Sequence, residues 1–242
     1  MPNMKEQILD HASLAAQRAD IYFRNPDTTL ARTLRKISAK EGWEYRTDGT
    51  KVAIEMKLAK LARVVAAPVR AGLEKAIYLQ DGSDPIYHAK RFDRDGNIFG
   101  MKKLRSLRDG ADQNHAENLA REARPDSVED PRSTPLGRWM RRTGMDEIPQ
   151  LDHISEGTMQ FVGPRAMSST TVEYLQQEDP QRLEEHMKGY IPGAIHLPGA
   201  FSKNGNANEV YHYNAFYKRK AWLGLDLYAT WHRFARPLLD RQ

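Results

Sequence analysis

Cysteine is missing from this 242-residue chain, which excludes disulfides, thiolate zinc sites, iron–sulfur ligation and a cysteine nucleophile. No run of 18 apolar residues occurs, so no ordinary membrane-spanning helix is expected. The start, MPNMKEQILDHAS, has no apolar core segment, so no secretory signal is expected from it. Walker phosphate loops, G-x-G-x-x-G, H-E-x-x-H and G-x-S-x-G are all absent, which removes the usual catalytic templates. The eight histidines show no metal-ligand spacing. No internal repeat or low-complexity tract is present.

What is present describes a folded chain. Hydrophobic residues make up 40% and charged residues 29%, a composition that can bury a core. Lys and Arg number 37 against 32 Asp and Glu, a net charge of +5. Such an excess suits an anionic partner of any kind: nucleotide, lipid phosphate, membrane surface or nucleic acid.

Residues 1–50 read as two short amphipathic helices, an N-terminal extension ending at the Arg46-Thr47-Asp48-Gly49-Thr50 turn. Residues 51–79 form the longest helical pattern, with Pro68 in its interior, and proline there predicts a kink. The segment is apolar and charged at once, so it is either a kinked surface helix or a helix lying on an anionic membrane. Asp93 to Gly96 between Phe92 and Ile98 predicts a hairpin turn. Residues 109–132 read as a polar surface helix or loop. Ser133-Thr134-Pro135 starts a helix that Gly144 breaks, and a second short helix is expected from Asp146 to Glu156. Met159 to Val162 reads as a strand, 169–188 as a helix split at Asp179-Pro180, 189–208 as a loop, and 210–239 as a long amphipathic helix. The expected fold class is α+β, mainly helical, with a small hairpin element and amphipathic surface helices.

The informative stretch is TPLGRWMRRTGMDEIPQLDHISEGTMQFVGPRAM, residues 134–167. Asp146 and Glu147 are adjacent carboxylates, bracketed by Arg138, Arg141, Arg142 and Arg165. Carboxylates at a helix start can simply cap it. Arginines around a carboxylate pair also suit phosphoryl chemistry. The arginines neutralise phosphate oxygens, carboxylates hold Mg²⁺, and one carboxylate can attack phosphorus.

This block resembles the core signature of the bacterial sugar transferases, the monotopic phosphoglycosyl transferases, which reads T-x-x-G-x-x-L-R-x-x-x-[LM]-D-E-[LI]-P-Q and then G-D-M-S-x-V-G-P-R-P. Residues 85–107, PIYHAKRFDRDGNIFGMKKLRSL, resemble the family's P-V-x-Y-x-Q-x-R segment, and Pro192-Gly193 its P-G-[IV]-T-G segment. The likeness covers 51–242, so the expected domains are the 1–50 extension and a sugar-transferase-like domain.

The resemblance implies transfer of a sugar-1-phosphate from a nucleoside-diphosphate sugar to a polyprenyl phosphate, the first step in building a surface polysaccharide or glycoconjugate. It implies Asp146 as nucleophile and Glu147 as its partner, with Mg²⁺ at the pair. Lys103, Arg105, Arg141 and Arg165 match its phosphate-binding positions; Arg138 and Gln150 join them as substrate-binding candidates. A non-catalytic relative that binds a nucleotide sugar or a partner enzyme is the alternative. Nucleic-acid binding rests on charge alone and lacks a motif, so no such partner is expected.

The sequence departs from the family pattern at Thr158 (an aspartate in G-D-M), at Ala166, at Ala89 and across 192–199. The family's re-entrant membrane helix falls on 51–79, which here carries eight charges. Each charge at a bilayer centre costs about 2.5–3.5 kcal/mol. A shallow interfacial helix, a helix covered by protein, or no membrane binding is therefore expected. The expected location is cytoplasmic, with peripheral contact to an anionic membrane left open.

Overall fold

The computed structural model describes residues 49–93, 96–111, 131–168, 172, 176–177, 180–187, 190–196, 214, 217–218 and 221–234. The expected helices in 1–48 and the surface segment over 112–130 lie outside the described residues.

Helix α1 runs Thr50–Asp81, between left-handed Gly49 and Gly82, and carries Pro68 within it. Strands β1 (Ile86–Phe92) and β2 (Ile98–Leu104) form the expected antiparallel hairpin, in register from Ile86 opposite Leu104 to Phe92 opposite Ile98. Asp93 Oδ1 closes its turn by accepting from the Asn97 N–H at 2.8 Å. Helix α2 is Pro135–Thr143; the Thr134 side chain accepts from the Gly137 N–H, and left-handed Gly144 ends it. Gly137 is required for contact: a Cβ there would come within 1.9 Å of the Ser106 carbonyl oxygen.

The short helix expected from Asp146 proves to be two elements. Met145–Glu147 is a single 3-10 turn, and helix α3 begins only at Gln150, running to Glu156. Pro149 precedes it without a side-chain cap, since its ring offers no side-chain acceptor. The carboxylate pair therefore does not cap an α-helix.

Strand β3 (Gln160–Val162) is followed by helix α4 (Pro180–Met187). The expected loop at 189–208 contains a strand, β4 (Gly193–Ile195), which pairs in parallel with β3. Gly163 and Gly193 sit backbone against backbone, and a Cβ on Gly193 would lie 2.1 Å from the Gly163 nitrogen. The long C-terminal helix is interrupted at Ala221-Trp222, before helix α5 (Leu223–Phe234).

Of the four buried apolar clusters among the described residues, two involve the segments around the site. Ala59 of α1, Ala89 and Met101 of the hairpin, Ile154 of α3, Met159 and Ala166 pack together. Val162, Tyr217, Ala221, Leu225 and Ala229 form the other. Ala89 and Ala166, two departures from the family pattern, thus serve as core residues.

The charges of α1 are sorted by face. Arg63 Nε lies 2.9 Å from Asp152 Oδ1, and Asp152 Oδ2 receives Arg70 at 3.0 Å and Lys102 at 3.2 Å. Lys51, Glu55 and Asp226 form a second buried cluster, with Lys51 Nζ 2.9 Å from Asp226 Oδ2 and 3.6 Å from Glu55 Oε1. Tyr217 hydroxyl bonds to both Asp226 and the Val162 carbonyl. At 3.6 residues per turn, Leu58, Leu61, Val65, Pro68, Val69, Gly72, Ala76 and Leu79 fall within an arc of about 100° that holds no charge over residues 58–79; Lys51, on the same line earlier in the helix, is buried. Leu61, Val65 and Leu79 are 64%, 70% and 72% exposed. No helix among the described residues is long and apolar enough to cross a membrane.

Candidate functional site

Asp146 and Glu147 are held on the 3-10 turn between α2 and α3, the first buried and the second a quarter exposed. Alternation along β2 sends Lys102 and Lys103 to opposite faces. Lys102 reaches Asp152, and Lys103 Nζ donates to Glu147 Oε1 at 2.9 Å. Among the described residues, none hydrogen-bonds the Asp146 carboxylate, so one carboxylate is paired and its neighbour is not.

Their environments push them apart. Burial raises the pKa of Asp146, helped by Glu147 and opposed by Lys103, Arg141 and Arg233. Burial acts the same way on Glu147, but Lys103, by charge and by hydrogen bond, outweighs it with Arg233 and Arg165 and holds that carboxyl below its usual range. The two adjacent carboxyls thus differ, Glu147 being the more readily ionised of the pair.

The sequence candidates separate into two groups. Lys103, Arg141 and Arg165 stand around the pair; Arg141 Nε is steadied by Ser106 Oγ at 2.8 Å, and the Arg165 backbone N–H by Asn214 Oδ1 at 2.8 Å. Arg165 also bridges Gly193, so the G-P-R and P-G segments meet at this edge. Arg105 is placed differently. Its guanidinium grips Asp81 at 2.6 and 2.7 Å and caps the Asp84 carbonyl at 2.8 Å, fastening the end of α1 to the end of β2. Arg138 donates to the Ser133 carbonyl at 3.0 Å within its own helix start. Gln150 is buried at the beginning of α3.

Folding also brings in residues that the motif reading did not single out. Arg233 of α5 lies within Coulombic range of Asp146, Glu147 and His196. His196, just past β4, is pushed well below its ordinary range by burial and by Arg165, Lys103 and Arg233, and stays a neutral imidazole. Asp152 and His153 form the support: His153 Nε2 accepts from the Lys102 N–H at 3.1 Å, and its ring meets Phe99 edge-on. Burial also lowers the His153 pKa, which keeps this nitrogen an acceptor.

Chemically, the arrangement is a pair of adjacent carboxylates within electrostatic reach of cations from four separate segments. It can receive a phosphate-bearing ligand and stabilise negative charge developing on it. Among the described residues, no group of three or more His, Cys, Asp or Glu is placed to hold a metal ion.

Comparison with known proteins agrees with this geometry. A family model described as bacterial sugar transferase matches residues 46–238. A Bacillus subtilis (strain 168) protein, provisionally named an undecaprenyl-phosphate N-acetylgalactosaminyl 1-phosphate transferase, is 32% identical over 136 residues, covering 55% of this chain and 72% of that protein. The undecaprenyl-phosphate galactose phosphotransferase of Salmonella typhimurium (strain LT2) is 34% identical over 118 residues, 46% of this chain and 25% of that protein. The UDP-glucose:undecaprenyl-phosphate glucose-1-phosphate transferase of Escherichia coli (strain K12) is 29% identical over 150 residues, 62% of this chain and 31% of that protein. The match thus spans only about a quarter to a third of those two longer relatives.

Proposed function

The chain belongs to the bacterial sugar transferase family, and from that premise we propose that it moves a sugar-1-phosphate from a nucleoside-diphosphate sugar to a polyprenyl phosphate. The product would begin a surface polysaccharide or glycoconjugate. The observation that supports this reading is the meeting of Asp146 and Glu147 with Lys103, Arg141, Arg165 and Arg233.

In the proposed first step an Asp146 oxygen attacks the phosphorus that carries the sugar. The bond from that phosphorus to the bridging oxygen breaks, and the nucleoside monophosphate leaves with the electron pair. In the second step an oxygen of the acceptor phosphate attacks the same phosphorus and the Asp146 carboxylate departs. Lys103, Arg141, Arg165 and Arg233 offset charge on the phosphate oxygens in both steps. Glu147, kept ionised by Lys103, holds the cationic ring in place.

Two adjacent carboxylates fit Mg²⁺, which commonly takes one or two carboxylates and completes its shell with substrate phosphate and water. Asp146 and Glu147 would hold it, and it would supply charge neutralisation at the diphosphate.

We assign α1 to the bilayer surface, its uncharged arc turned to the lipid and Lys57, Lys60 and Lys75 beside it. An arc of this kind needs no charge to enter the hydrocarbon, so the shallow interfacial expectation is the one the residues support.

The test is release of nucleoside monophosphate from a panel of nucleotide sugars with Mg²⁺ and polyprenyl phosphate, alongside Asp146→Asn. Release dependent on Asp146 and on the acceptor is expected. A folded protein inactive across the panel would move the reading to a non-catalytic relative.

A further inference from the structure

We propose that a cavity between α1 and the start of α3 holds the head group of an anionic phospholipid and so fixes α1 on the bilayer. The inference rests on the membrane-surface reading of α1.

The cavity measures about 510 Å³, and its lining includes Lys60, Arg63, Val64, Arg70, Ile148 and Leu151. Val64, 72% exposed, lines the cavity and also borders the uncharged arc of α1. A lipid lying along the arc could therefore place its head group in the cavity without leaving the helix.

Charge selects the occupant. Lys60, Arg63, Arg70 and Lys102 surround this region against Asp152 and Glu74, leaving positive charge in excess. Arg63 uses Nε on Asp152 and one terminal nitrogen on Ser155. Arg70 uses Nε on Glu74 and one terminal nitrogen on Asp152. The second terminal nitrogen of each makes no hydrogen bond with a described residue, which leaves donors for a phosphodiester. Asp152 thus orients both guanidiniums before any ligand arrives.

This site is separate from the chemistry. The cations acting on Asp146 and Glu147 are Lys103, Arg141, Arg165 and Arg233, and none of the cavity's own is among them. A phosphate held by Arg63 and Arg70 is accordingly a bilayer lipid that positions the protein, not the phosphate that reacts.

The experiment is co-sedimentation of the full chain with vesicles of phosphatidylcholine alone and vesicles in which phosphatidylglycerol replaces part of it. Ala67→Phe fills the cavity without changing charge, Lys60→Glu reverses an exposed lining charge, and Lys90→Gln removes an exposed charge on β1, outside α1 and the lining. Circular dichroism melts confirm that each variant folds. Wild type should prefer the phosphatidylglycerol vesicles. Ala67→Phe and Lys60→Glu should each lose about tenfold in affinity for them, and Lys90→Gln much less. Short-chain phosphatidylglycerol, added as a soluble competitor, should displace the protein where inorganic phosphate does not.

If wild type sediments with neither vesicle, the membrane reading itself fails and takes the site with it. Sedimentation that all variants share equally overturns the head-group site alone. Equal competition by inorganic phosphate overturns the lipid as its occupant.

Discussion

Lys103 and Glu147 are separated by 44 positions in the chain, yet their side chains meet at 2.9 Å. The contact joins β2 to the 3-10 turn and sets the charge of the carboxylate beside the proposed nucleophile. Lys103→Met should therefore lower the transfer rate by about 100-fold or more while the melting curve changes little. Steady-state kinetics of nucleoside monophosphate release check this; a rate within a few-fold of wild type would remove Lys103 from the site.

Arg105 and Arg165 both match phosphate-binding positions of the family, but only Arg165 stands with the carboxylates. Arg105→Ala should lower the melting temperature, because the Asp81 clamp is lost, and leave KM for the nucleotide sugar unchanged. Arg165→Ala should raise KM or lower kcat at nearly unchanged stability. Measuring both variants for both properties reads out the division, and matching profiles would refute it.

Asp152 is a buried carboxylate carrying Arg63, Arg70 and Lys102. Asp152→Asn leaves three cations without their counter-charge at the contact of α1 with α3. Partial exposure of the cations moderates the loss, so about 2 kcal/mol of destabilisation is expected. Urea unfolding measures it. The burial of Asp152 also accounts for two of the eight charges over 51–79 that hydropathy alone counts against a membrane role.

Glu55 gives the molecule a pH dependence. Burial raises its pKa to about 7, with Asp226 adding to the rise and Lys51 and the Phe161 N–H opposing it. The ordinary value of this carboxyl is 4.5, so the folded state binds the proton more tightly than the unfolded state. Stability is then highest below pH 4.5, falls as pH rises through about 7, and is flat above. The linkage amounts to at most about 3 kcal/mol. Glu55→Gln should stabilise the protein at pH 8 and have little effect at pH 4, as urea unfolding at the two values would show. An equal effect at both would exclude Glu55 as the titrating group.

Much of this was legible in the sequence, for identifiable reasons. Thr134-Pro135 and Gly144 fix the ends of α2 through local chemistry, and Asp93 to Gly96 fixes the hairpin in the same way. The D-E-I-P-Q and V-G-P-R segments mark the site because the chemistry needs those groups in order. Pro149 carried a signal that was not used: a residue without an N–H belongs at a helix start, which places α3 after the carboxylates. Arg233 and His196 could not be read this way, since only the packing of α5 and β4 brings Arg233 to the carboxylates and His196 to the cations around them. The uncharged arc of α1 was present in the spacing, but a charge count over the whole segment averages it away.

The most direct test of the account is the intact mass of the protein mixed with a nucleotide sugar and Mg²⁺ before any acceptor is added. The account predicts a mass gain of one phosphosugar, located on Asp146, absent in Asp146→Asn and lost when polyprenyl phosphate is supplied. Turnover with the acceptor while the protein never gains mass and Asp146→Asn remains active would contradict it.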